Sequence, residues 1–561
     1  MRSGGRVVLR SARALPTVRF FCSPRQAFAE KESPSLNQED VSDILRREEH
    51  SIEIRHSPIL SLPPLQLLSP TRHALLSDAI KLVETNRLAA NEPCEDNHAS
   101  AKCSPSSSAL FGVFDGHGGR QCSEEVARRL FDYCCSSLST RHVKGYRSWH
   151  EQQLQWLHSS NPHHQPHPSH HRHVARFLNQ YVESTVSERE HVTVRKALQR
   201  AFLQLDADMS EEAQNNTYDD QWTLHDHAYA LRSVGTGSCA CIAHVRGPHL
   251  HLANVGDSVA VLAVRQETEA GGSWTARQLT QEHVVDNSQE VKRIRSEHPH
   301  SEHESVLKGG RLLGELMPLR AFGDVRYKWN RKLQDEIIGR GYAPANSRTP
   351  PYLTALPEVY YHRLTPNDRF LVIATDGLWE CLTPERVVRL LADHAAGKDT
   401  LHPYDPSSSA SLDDALGVLR KRTLCTPTTL PLPHLSTMPL ECSERGLWES
   451  LTPERVVRLL ADHAAGKDTL HPYDPSPSAS LDDALGVLRK RKRGENLRPL
   501  DVNGATHLIR TAIGGSQKAE QHVNLAASLS LPPGLAREIR DDITVTVIYF
   551  DTEYLASITP P

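Results

Sequence analysis

The stretch Phe111-Gly-Val-Phe-Asp-Gly-His-Gly-Gly119 sets the fold of this 561-residue chain. An apolar run at residues 110–114 ends at Asp115, and glycines stand on both sides of His117. Short apolar runs bounded by Gly and Asp are typical of buried β-strands, so we expect a strand that stops at Asp115. Gly116 would let the backbone approach a ligand closely and offer its carbonyl oxygen.

The sequence on either side predicts a mixed α+β fold. Residues 123–133 show helical spacing, with Val126, Leu130 and Tyr133 on one face. Further apolar runs predict strands at residues 239–245, 249–255, 259–264, 370–374 and 543–550, the last with strict alternation. Several strands follow one another without helices between them, which favours antiparallel sheets with helices packed outside.

Three more aspartates lie next to predicted strands, as Asp115 does. Asp257 and Asp376 follow apolar runs, and Asp541 precedes one. A single Asp at a turn is more often structural, because Asp and Gly favour turns for local reasons. Strand ends of one packed sheet can converge, however. A cluster of carboxylates would then suit Mg²⁺ or Mn²⁺, whereas zinc prefers Cys and His ligands.

Such a cluster has a specific chemistry. Two hard cations about 3.5–4 Å apart can share a water, lower its pKa and neutralise charge on a phosphoryl group. His117, two residues after Asp115, is placed to protonate a departing alkoxide. Asp115 and His117 are therefore our candidate catalytic residues.

Six motifs occur in the order found in one known family. They are Phe114-Asp-Gly-His-Gly-Gly119, Ser233-Val-Gly-Thr-Gly-Ser238, Gly256-Asp-Ser258, Arg320-Ala-Phe-Gly-Asp324, Ala374-Thr-Asp-Gly-Leu-Trp-Glu380 and Arg540-Asp-Asp-Ile-Thr544. The chain thereby resembles the metal-dependent protein serine/threonine phosphatases of type 2C. The resemblance implies a central β-sandwich of two antiparallel sheets flanked by α-helices, and hydrolysis of phosphoserine by a water activated by two metal ions.

Longer stretches resemble the pyruvate dehydrogenase phosphatase catalytic subunits within that family. They are residues 86–96, Arg311-Leu-Leu-Gly-Glu-Leu-Met-Pro-Leu-Arg320 with its continuation to residue 329, residues 349–354 and residues 505–510. The resemblance implies the phosphorylated E1 alpha subunit of pyruvate dehydrogenase as substrate and the mitochondrial matrix as location. It also implies docking on the lipoyl domain of the acyltransferase core, with Ca²⁺ at that interface in some relatives, and leaves room for a regulatory subunit.

The resemblance also assigns metal-binding roles to individual residues. Asp115 would bridge both ions and Gly116 would add its carbonyl oxygen. The remaining ligands would be Asp376 and Asp541 on one ion, Glu95 on the other, and Asp257 on a third, weaker ion. Asp96 would stand behind these ligands, and Asp324 would order a turn.

Two positions depart from the usual family pattern. Asn91 stands where most members have an arginine that grips the substrate phosphate. The pyruvate dehydrogenase phosphatases also have asparagine there, so we take Asn91 as a tentative phosphate contact and expect the metals to bind most of the phosphate. Val259 stands where the family has arginine after Gly-Asp-Ser, and its effect is open.

The N-terminal segment differs in kind from the rest of the chain. Residues 1–29 carry six arginines and no acidic residue, the composition of a mitochondrial transit peptide. A disordered basic tail is the alternative. We expect an extended lead-in at residues 30–73 and a single phosphatase domain at residues 74–555.

Two segments are expected to be insertions in that domain. The first, at residues 160–174, is rich in His and Pro, and a solvated loop is favoured over a metal site. The second, at about residues 381–449, contains a linker and one copy of a duplicated segment: residues 377–422 recur as 446–491. The duplication is either genuine or an error in the assembled sequence. Arg445 occupies the position of Asp376 in the second copy, so the site should use Asp376; which copy's helix packs on the sheet stays open.

The overall composition excludes several classes of function. With 64 basic and 68 acidic side chains the net charge is −4, which argues against nucleic-acid binding by a basic surface. No apolar run approaches the length of a membrane helix. Eleven cysteines without a regular framework favour free thiols in a reducing compartment.

Two alternatives to an active pyruvate dehydrogenase phosphatase stay open. One is an active phosphatase with another mitochondrial substrate. The other is a catalytically impaired family member that acts as a regulatory binding protein. The retained carboxylates favour activity, whereas Val259 and the duplication count against it.

Overall fold

The computed structural model describes residues 36, 38–53, 79–103, 106–138, 154–157, 170–187, 192–215, 217–218, 222–268, 271–395, 501, 503–514 and 525–558. The predicted transit peptide, most of the His/Pro-rich segment, the linker and the whole second copy at residues 446–491 lie outside these ranges.

Seventeen strands occur in the described part of the chain. They are β1 (His50–Glu53), β2 (Ile80–Leu88), β3 (Asn97–Cys103), β4 (Ser108–Phe114), β5 (Gly116–His117), β6 (Leu154–Trp156), β7 (Gly237–Ser238), β8 (Ala240–Arg246), β9 (His249–Val255), β10 (Val259–Thr268), β11 (Gly271–Gln278), β12 (Leu307–Lys308), β13 (Arg311–Leu312), β14 (Phe322–Gly323), β15 (Glu358–Arg363), β16 (Asp368–Ala374) and β17 (Ile543–Phe550). All six strands predicted from apolar runs are present, including the one that stops before Asp115.

These strands form two six-stranded antiparallel sheets. One has the order β1-β2-β17-β16-β10-β11 and the other the order β15-β9-β8-β4-β3-β6. Their inner faces pack together through buried apolar side chains such as Phe111, Val113, Leu371 and Ile548. The predicted β-sandwich is confirmed.

Helices cover both outer faces of the sandwich. They are α1 (Gln38–Arg46), α2 (Gln121–Leu138), α3 (His170–Ser187), α4 (Val194–Gln214), α5 (Leu224–Gly235), α6 (Ser288–Glu297), α7 (His303–Val306), α8 (Val325–Lys328), α9 (Arg331–Ile337), α10 (Asp376–Trp379), α11 (Pro384–Ala395), α12 (Gly504–Ala512), α13 (Pro533–Ile539) and α14 (Thr552–Ile558). The α2 face predicted from Val126, Leu130 and Tyr133 is fully buried against the β4 sheet. None of the described helices is both long and apolar enough to cross a bilayer.

The structure corrects the expected extended lead-in at residues 30–73. Helix α1 and strand β1 lie within that range, and β1 pairs with β2 at the edge of the first sheet. Val41 and Leu45, one helical turn apart, are buried in the core under that sheet. Asn86 of β2 donates a hydrogen bond of 2.7 Å to the Leu45 carbonyl. Folded structure therefore begins before residue 74.

The first copy of the duplicated segment supplies a core helix. Thr383 caps α11, since its hydroxyl accepts a hydrogen bond from the Arg386 amide at 3.4 Å. Val387 and Leu391 of α11 are completely buried in the core under the β10–β16–β17 sheet. The insertion expected from about residue 381 thus starts no earlier than residue 396. Similarly, α3 begins at His170, inside the predicted 160–174 segment.

Two cysteines that are far apart in sequence are joined. Cys103 at the end of β3 and Cys135 of α2 form a disulfide, with their Cα atoms 5.7 Å apart. The expectation of free thiols is therefore wrong for this pair. Cys134, the neighbour of Cys135, has a free thiol, as expected, and is buried among the packing residues of α2.

We predict that His244 makes the fold acid-sensitive. This β8 side chain is 1% exposed, and neither ring nitrogen has a hydrogen-bond partner among the described residues. Burial, with the neighbouring charges of His251 and Arg246, lowers its pKa to about 3. The unfolded chain therefore binds the extra proton more readily, so the stabilisation is complete above pH 6.5 and is lost as the pH falls toward 3.

Replacing His244 with leucine should flatten this dependence. Between pH 6.5 and pH 4 the wild type should lose about 3 kcal/mol more unfolding free energy than His244→Leu. Urea unfolding at a series of pH values measures the difference. Parallel curves for the two proteins would contradict the assignment.

Candidate metal centre

The register of the two sheets brings the predicted acids to one end of the sandwich. Ala374, the last residue of β16, pairs with both Val259 of β10 and Val545 of β17. In the other sheet, Asn97 at the start of β3 pairs with Phe114 at the end of β4. The residues that flank these pairs, Glu95, Asp115, Asp257, Asp376 and Asp541, therefore lie at the same edge.

Three of these carboxylates form a compact group. Asp115, Asp257 and Asp376 each offer one oxygen, and the three oxygens lie within 4.8 Å of one another. Asp257 is buried, and its Oδ1 accepts a hydrogen bond from Cys239 Sγ at 3.1 Å. Glu95 and Asp541 lie outside this closest group, although the charge of Asp541 acts on both Asp115 and Glu95.

The electrostatics of the group favour a bound cation. Burial, followed by the charge of Asp376, raises the pKa of Asp115 well above its usual value. Burial, followed by the charge of Asp257, raises that of Asp376 in the same way, and the pKa of Glu95 is also raised by burial and by Asp542. Carboxylates that repel one another in a confined space are stabilised by a divalent ion. An oxygen-only donor set matches Mg²⁺ or Mn²⁺.

Asp542 holds the loop that carries Glu95. Its Oδ1 accepts the amides of Ala90 at 2.5 Å and Asn91 at 2.8 Å, and its Oδ2 accepts the Glu95 amide at 2.7 Å. Burial raises the pKa of Asp542, but these hydrogen bonds lower it by more, so the group stays ionised. Asp542 lies in the motif Arg540-Asp-Asp-Ile-Thr544, and no role for it was predicted from the sequence.

Asn91 belongs to the same loop. Its side-chain Nδ2 donates to Asp542 Oδ2 at 3.0 Å. The amide suggested as a phosphate contact therefore already helps to fix the loop next to Glu95.

Asp96 and Thr375 connect the two sheets beneath the acids. Thr375 Oγ1 donates to Asp96 Oδ2 at 2.8 Å and accepts the Thr544 amide at 3.0 Å. The neighbours of Asp96 and Thr375 in sequence are Glu95 and Asp376, so this link fixes the spacing of two candidate ligands. Asp96 is buried at this link, and its place behind the ligands stays a prediction.

Gly116 stands where a side chain would not fit. A Cβ atom at this position would collide with the Glu95 carbonyl oxygen and approach Ser123 Oγ to 2.8 Å. Glycine therefore lets the loop that carries Glu95 lie directly against the backbone after Asp115.

His117 is paired with Asp324, a residue predicted only to order a turn. His117 Nε2 lies 2.6 Å from Asp324 Oδ2. Burial lowers the pKa of His117, but the charge of Asp324 and this hydrogen bond raise it by more, so the net shift is upward. Asp324 does also order a turn, since it adopts the left-handed conformation with φ 52°.

The surroundings of the candidate ligand Asp541 and of the departure Val259 are also described. Asp541 forms an ion pair with Arg537 of α13 at the rim of the site. Val259 is 3% exposed and packs into the apolar core under the β10–β16–β17 sheet. An apolar side chain therefore fills the position next to Asp257 and Ser258.

We predict that Asp542→Asn weakens cation binding although Asp542 is not a predicted ligand. An amide nitrogen in place of one carboxylate oxygen cannot accept the loop amides, so Glu95 loses its fixed position. Changes to groups that orient ligands typically cost 10–100-fold in metal affinity. Mn²⁺ titration by calorimetry should show a loss in this range. The matched control is Glu538→Gln, an exposed charge on α13, and equal affinities in the two variants would contradict the role of Asp542.

Asp115→Asn should have opposite effects with and without metal. Without metal, removal of one charge from the buried group should raise the unfolding free energy by about 1–2 kcal/mol. In the wild type, Mn²⁺ at 100 times its dissociation constant should stabilise by about 2.7 kcal/mol, and the variant should lose this gain. Thermal denaturation with EDTA and with Mn²⁺ separates the two effects. A variant that Mn²⁺ stabilises as much as wild type would exclude Asp115 as a ligand.

Comparison with known proteins agrees with this geometry. The sequence profile described as protein phosphatase 2C matches residues 139–408. The chain is 34% identical to pyruvate dehydrogenase (acetyl-transferring) phosphatase 2, mitochondrial, of Homo sapiens, covering 93% of this chain and 85% of the relative. It is also 34% identical to the corresponding mitochondrial phosphatase 1 of Bos taurus, covering 84% and 78%.

A more distant relative extends the comparison. A protein phosphatase 2C homolog of Schizosaccharomyces pombe is 27% identical, over 85% of this chain and 82% of its own length. The profile match includes neither Asp115 nor Asp541, whereas the human relative aligns over 93% of the chain. The chain therefore belongs to the protein phosphatase 2C family, in which it is similar to the pyruvate dehydrogenase phosphatases.

Proposed function

We propose that this chain is a metal-dependent serine/threonine phosphatase that removes phosphate from phosphoserine on the E1 component of the pyruvate dehydrogenase complex, in the mitochondrial matrix. The observation that carries the proposal is the group of Asp115, Asp257 and Asp376, whose oxygens lie within 4.8 Å at the edge of the sandwich. The substrate and location rest on the names of the relatives and on the arginine-rich N-terminal sequence.

Different residues of the site would bind the individual Mg²⁺ or Mn²⁺ ions. Asp115 and the Gly116 carbonyl would serve two ions, with Asp376 and Asp541 on one side and Glu95 on the other. Asp257 would serve a third, weaker ion. When bound, such ions acidify a water and neutralise phosphoryl charge.

His117 supplies the proton for the leaving group. Its Nε2–H donates to Asp324 Oδ2, and the negative charge of Asp324 favours the imidazolium form. The second proton of that imidazolium, on Nδ1, is then available to the departing serine oxygen. Without Asp324 the buried ring would be neutral more of the time, because burial alone lowers its pKa.

Binding of the phosphate rests mainly on the metal ions. Asn91, our tentative phosphate contact, already donates its Nδ2 to Asp542. Its backbone amide also donates to Asp542, at 2.8 Å. We therefore propose that Asn91 adds at most a contact from its second Nδ2 proton to the phosphate.

The wider assembly is proposed from the relatives alone. Docking would involve the lipoyl domain of the acyltransferase core, with Ca²⁺ at that interface, and a regulatory subunit. These proposals can fail without affecting the chemistry proposed for the metal centre.

The proposed activity can be tested with phosphorylated E1 alpha subunit as substrate. Phosphate release should require Mg²⁺ or Mn²⁺ and should be abolished in Asp115→Asn. His117→Gln should lower kcat by about 10²–10⁴-fold, the usual contribution of a general acid. A phosphoserine peptide of unrelated sequence serves as the control for substrate choice.

The outcomes separate the alternatives. Turnover of the peptide without turnover of E1 would favour a phosphatase with another substrate. Absence of metal-dependent turnover from folded wild-type protein would favour an impaired family member that acts by binding.

A further inference from the structure

His283 joins two backbone segments that lead to the metal centre. Its amide donates to the Gly256 carbonyl at 2.9 Å, and its own carbonyl accepts the Leu319 amide at 2.6 Å. Gly256 precedes Asp257. The segment that begins at Leu319 runs on to Asp324, the partner of His117. His283 is completely buried at this junction.

The imidazole makes a second contact with the same turn. His283 Nδ1 lies 3.1 Å from the Gly256 amide nitrogen and 3.1 Å from the Gly256 carbonyl oxygen. That carbonyl already accepts from the His283 amide and from Asn254 Nδ2, whereas the Gly256 amide has no other acceptor among the described residues. Because buried amides are almost always paired, Nδ1 accepts from Gly256 and the ring proton sits on Nε2.

The surroundings of His283 Nε2 agree with a proton on that nitrogen. His283 Nε2 faces Glu358 Oε2 at 3.7 Å and has no closer hydrogen-bond partner among the described residues. A carboxylate opposite Nε2 favours the tautomer that carries its proton there.

A second metal site is the competing reading of this region. His283, Glu290 and Glu358 offer ligand atoms within 4.8 Å of one another. Arg320 Nε, however, donates to Glu290 at 2.9 Å, and Arg293 Nη2 donates to the same carboxylate at 2.9 Å. Two guanidinium groups on one carboxylate already supply the positive charge that a cation would bring. The cluster is thus an ion-pair network around His283.

The turn needs such a clamp because Gly256 has no side chain to pack. It adopts φ +99°, and a Cβ there would collide with Cys239 Sγ, the group that donates to Asp257. Glycine is the most freely rotating residue, so the orientation of Asp257 depends on the hydrogen bonds of the Gly256 amide and carbonyl.

We infer that His283 is a positioning residue: through Gly256 it holds Asp257 within reach of Asp115 and Asp376, and through Leu319 it ties that turn to the segment of Asp324. The inference rests on the proposed function in taking Asp257 as a ligand of a divalent cation. No role in contacting substrate is assigned to His283.

Two substitutions separate the two ring nitrogens. The Oδ1 of asparagine can occupy the place of Nδ1 and accept from Gly256, whereas glutamine places its amide near Nε2. In calorimetric titration of the full chain with Mn²⁺ alone, His283→Gln should weaken the lowest-affinity Mn²⁺ by about 10-fold or more. His283→Asn should stay within about threefold of wild type. With phosphopeptide, His283→Gln should raise the Mn²⁺ concentration for half-maximal rate and leave the KM for the peptide unchanged.

Controls distinguish this role from general destabilisation. His244→Gln makes the same exchange at a buried histidine on β8 that has no contact with the site, and it should leave Mn²⁺ binding unchanged even where it lowers Tm. Wild-type affinity in folded His283→Gln would overturn the inference, as would equal losses in the Asn and Gln variants. If His283→Gln does not fold, Glu358→Gln replaces it: we expect Mn²⁺ binding to weaken by about 10-fold, and an affinity similar to that of His283→Asn would overturn the inference.

The role of His283 in Mn²⁺ binding can be tested separately from the proposed phosphatase activity. Wild-type protein that binds Mn²⁺ without hydrolysing phosphoserine contradicts the phosphatase proposal, and the comparison of variants by calorimetry still decides the role of His283.

Discussion

The repulsion among Asp115, Asp257 and Asp376 is the constraint around which this end of the molecule is arranged. Three carboxylate oxygens within 4.8 Å of one another in a partly buried site raise the free energy of the fold unless a cation binds. The surrounding structure must therefore hold the acids together against their own charge. Hydrophobic burial in the two-sheet core stabilises the fold and offsets this repulsion.

Groups that are not candidate ligands hold the acids in place against this repulsion. Asp542 accepts hydrogen bonds from the loop that carries Glu95. Thr375 connects the two sheets through its hydrogen bond to Asp96, and His283 fixes the turn before Asp257. Each of the three makes hydrogen bonds to backbone amides or to a buried carboxylate, so each acts by restricting where a ligand can move. A metal centre built in this way is preorganised by its supports as much as by its ligands.

Asp115, Asp257, Asp376 and Asp541 could be selected from sequence because each lies next to a predicted strand, and strand ends have strong local signals. Glu95 was selected only through the family resemblance. The alternation in β17 likewise predicted its two faces: Val545 and Val547 pack under α12, and Ile548 packs between the sheets. The supports could not be predicted in this way. Nothing in the run Arg540-Asp-Asp-Ile distinguishes Asp542, which binds backbone, from Asp541, because the difference lies in the register of β17 against β2.

Other misses have the same origin in long-range packing. The Cys103–Cys135 pair depends on how α2 lies across β3, which no spacing of cysteines reveals. Helix α1 was not predicted because Val41 and Leu45 give only one turn of helical pattern. Asp324 was correctly placed in a turn, yet its contact with His117 spans 207 positions and belongs to the tertiary fold.

In the duplicated segment, the position of a copy along the chain decides whether its helix packs in the core, because the local sequences of the two copies do not differ there. Both copies carry Thr-Pro-Glu-Arg-Val-Val-Arg-Leu-Leu, so helix propensity, capping and apolar pattern are equal for the two. Only the first copy follows β16 directly, and that strand is fixed between β10 and β17. A helix joined to a fixed strand by a few residues loses less chain entropy on docking than one joined to it by a long connection. The same short tether carries Asp376, so the copy that completes the core is also the copy that can complete the metal centre.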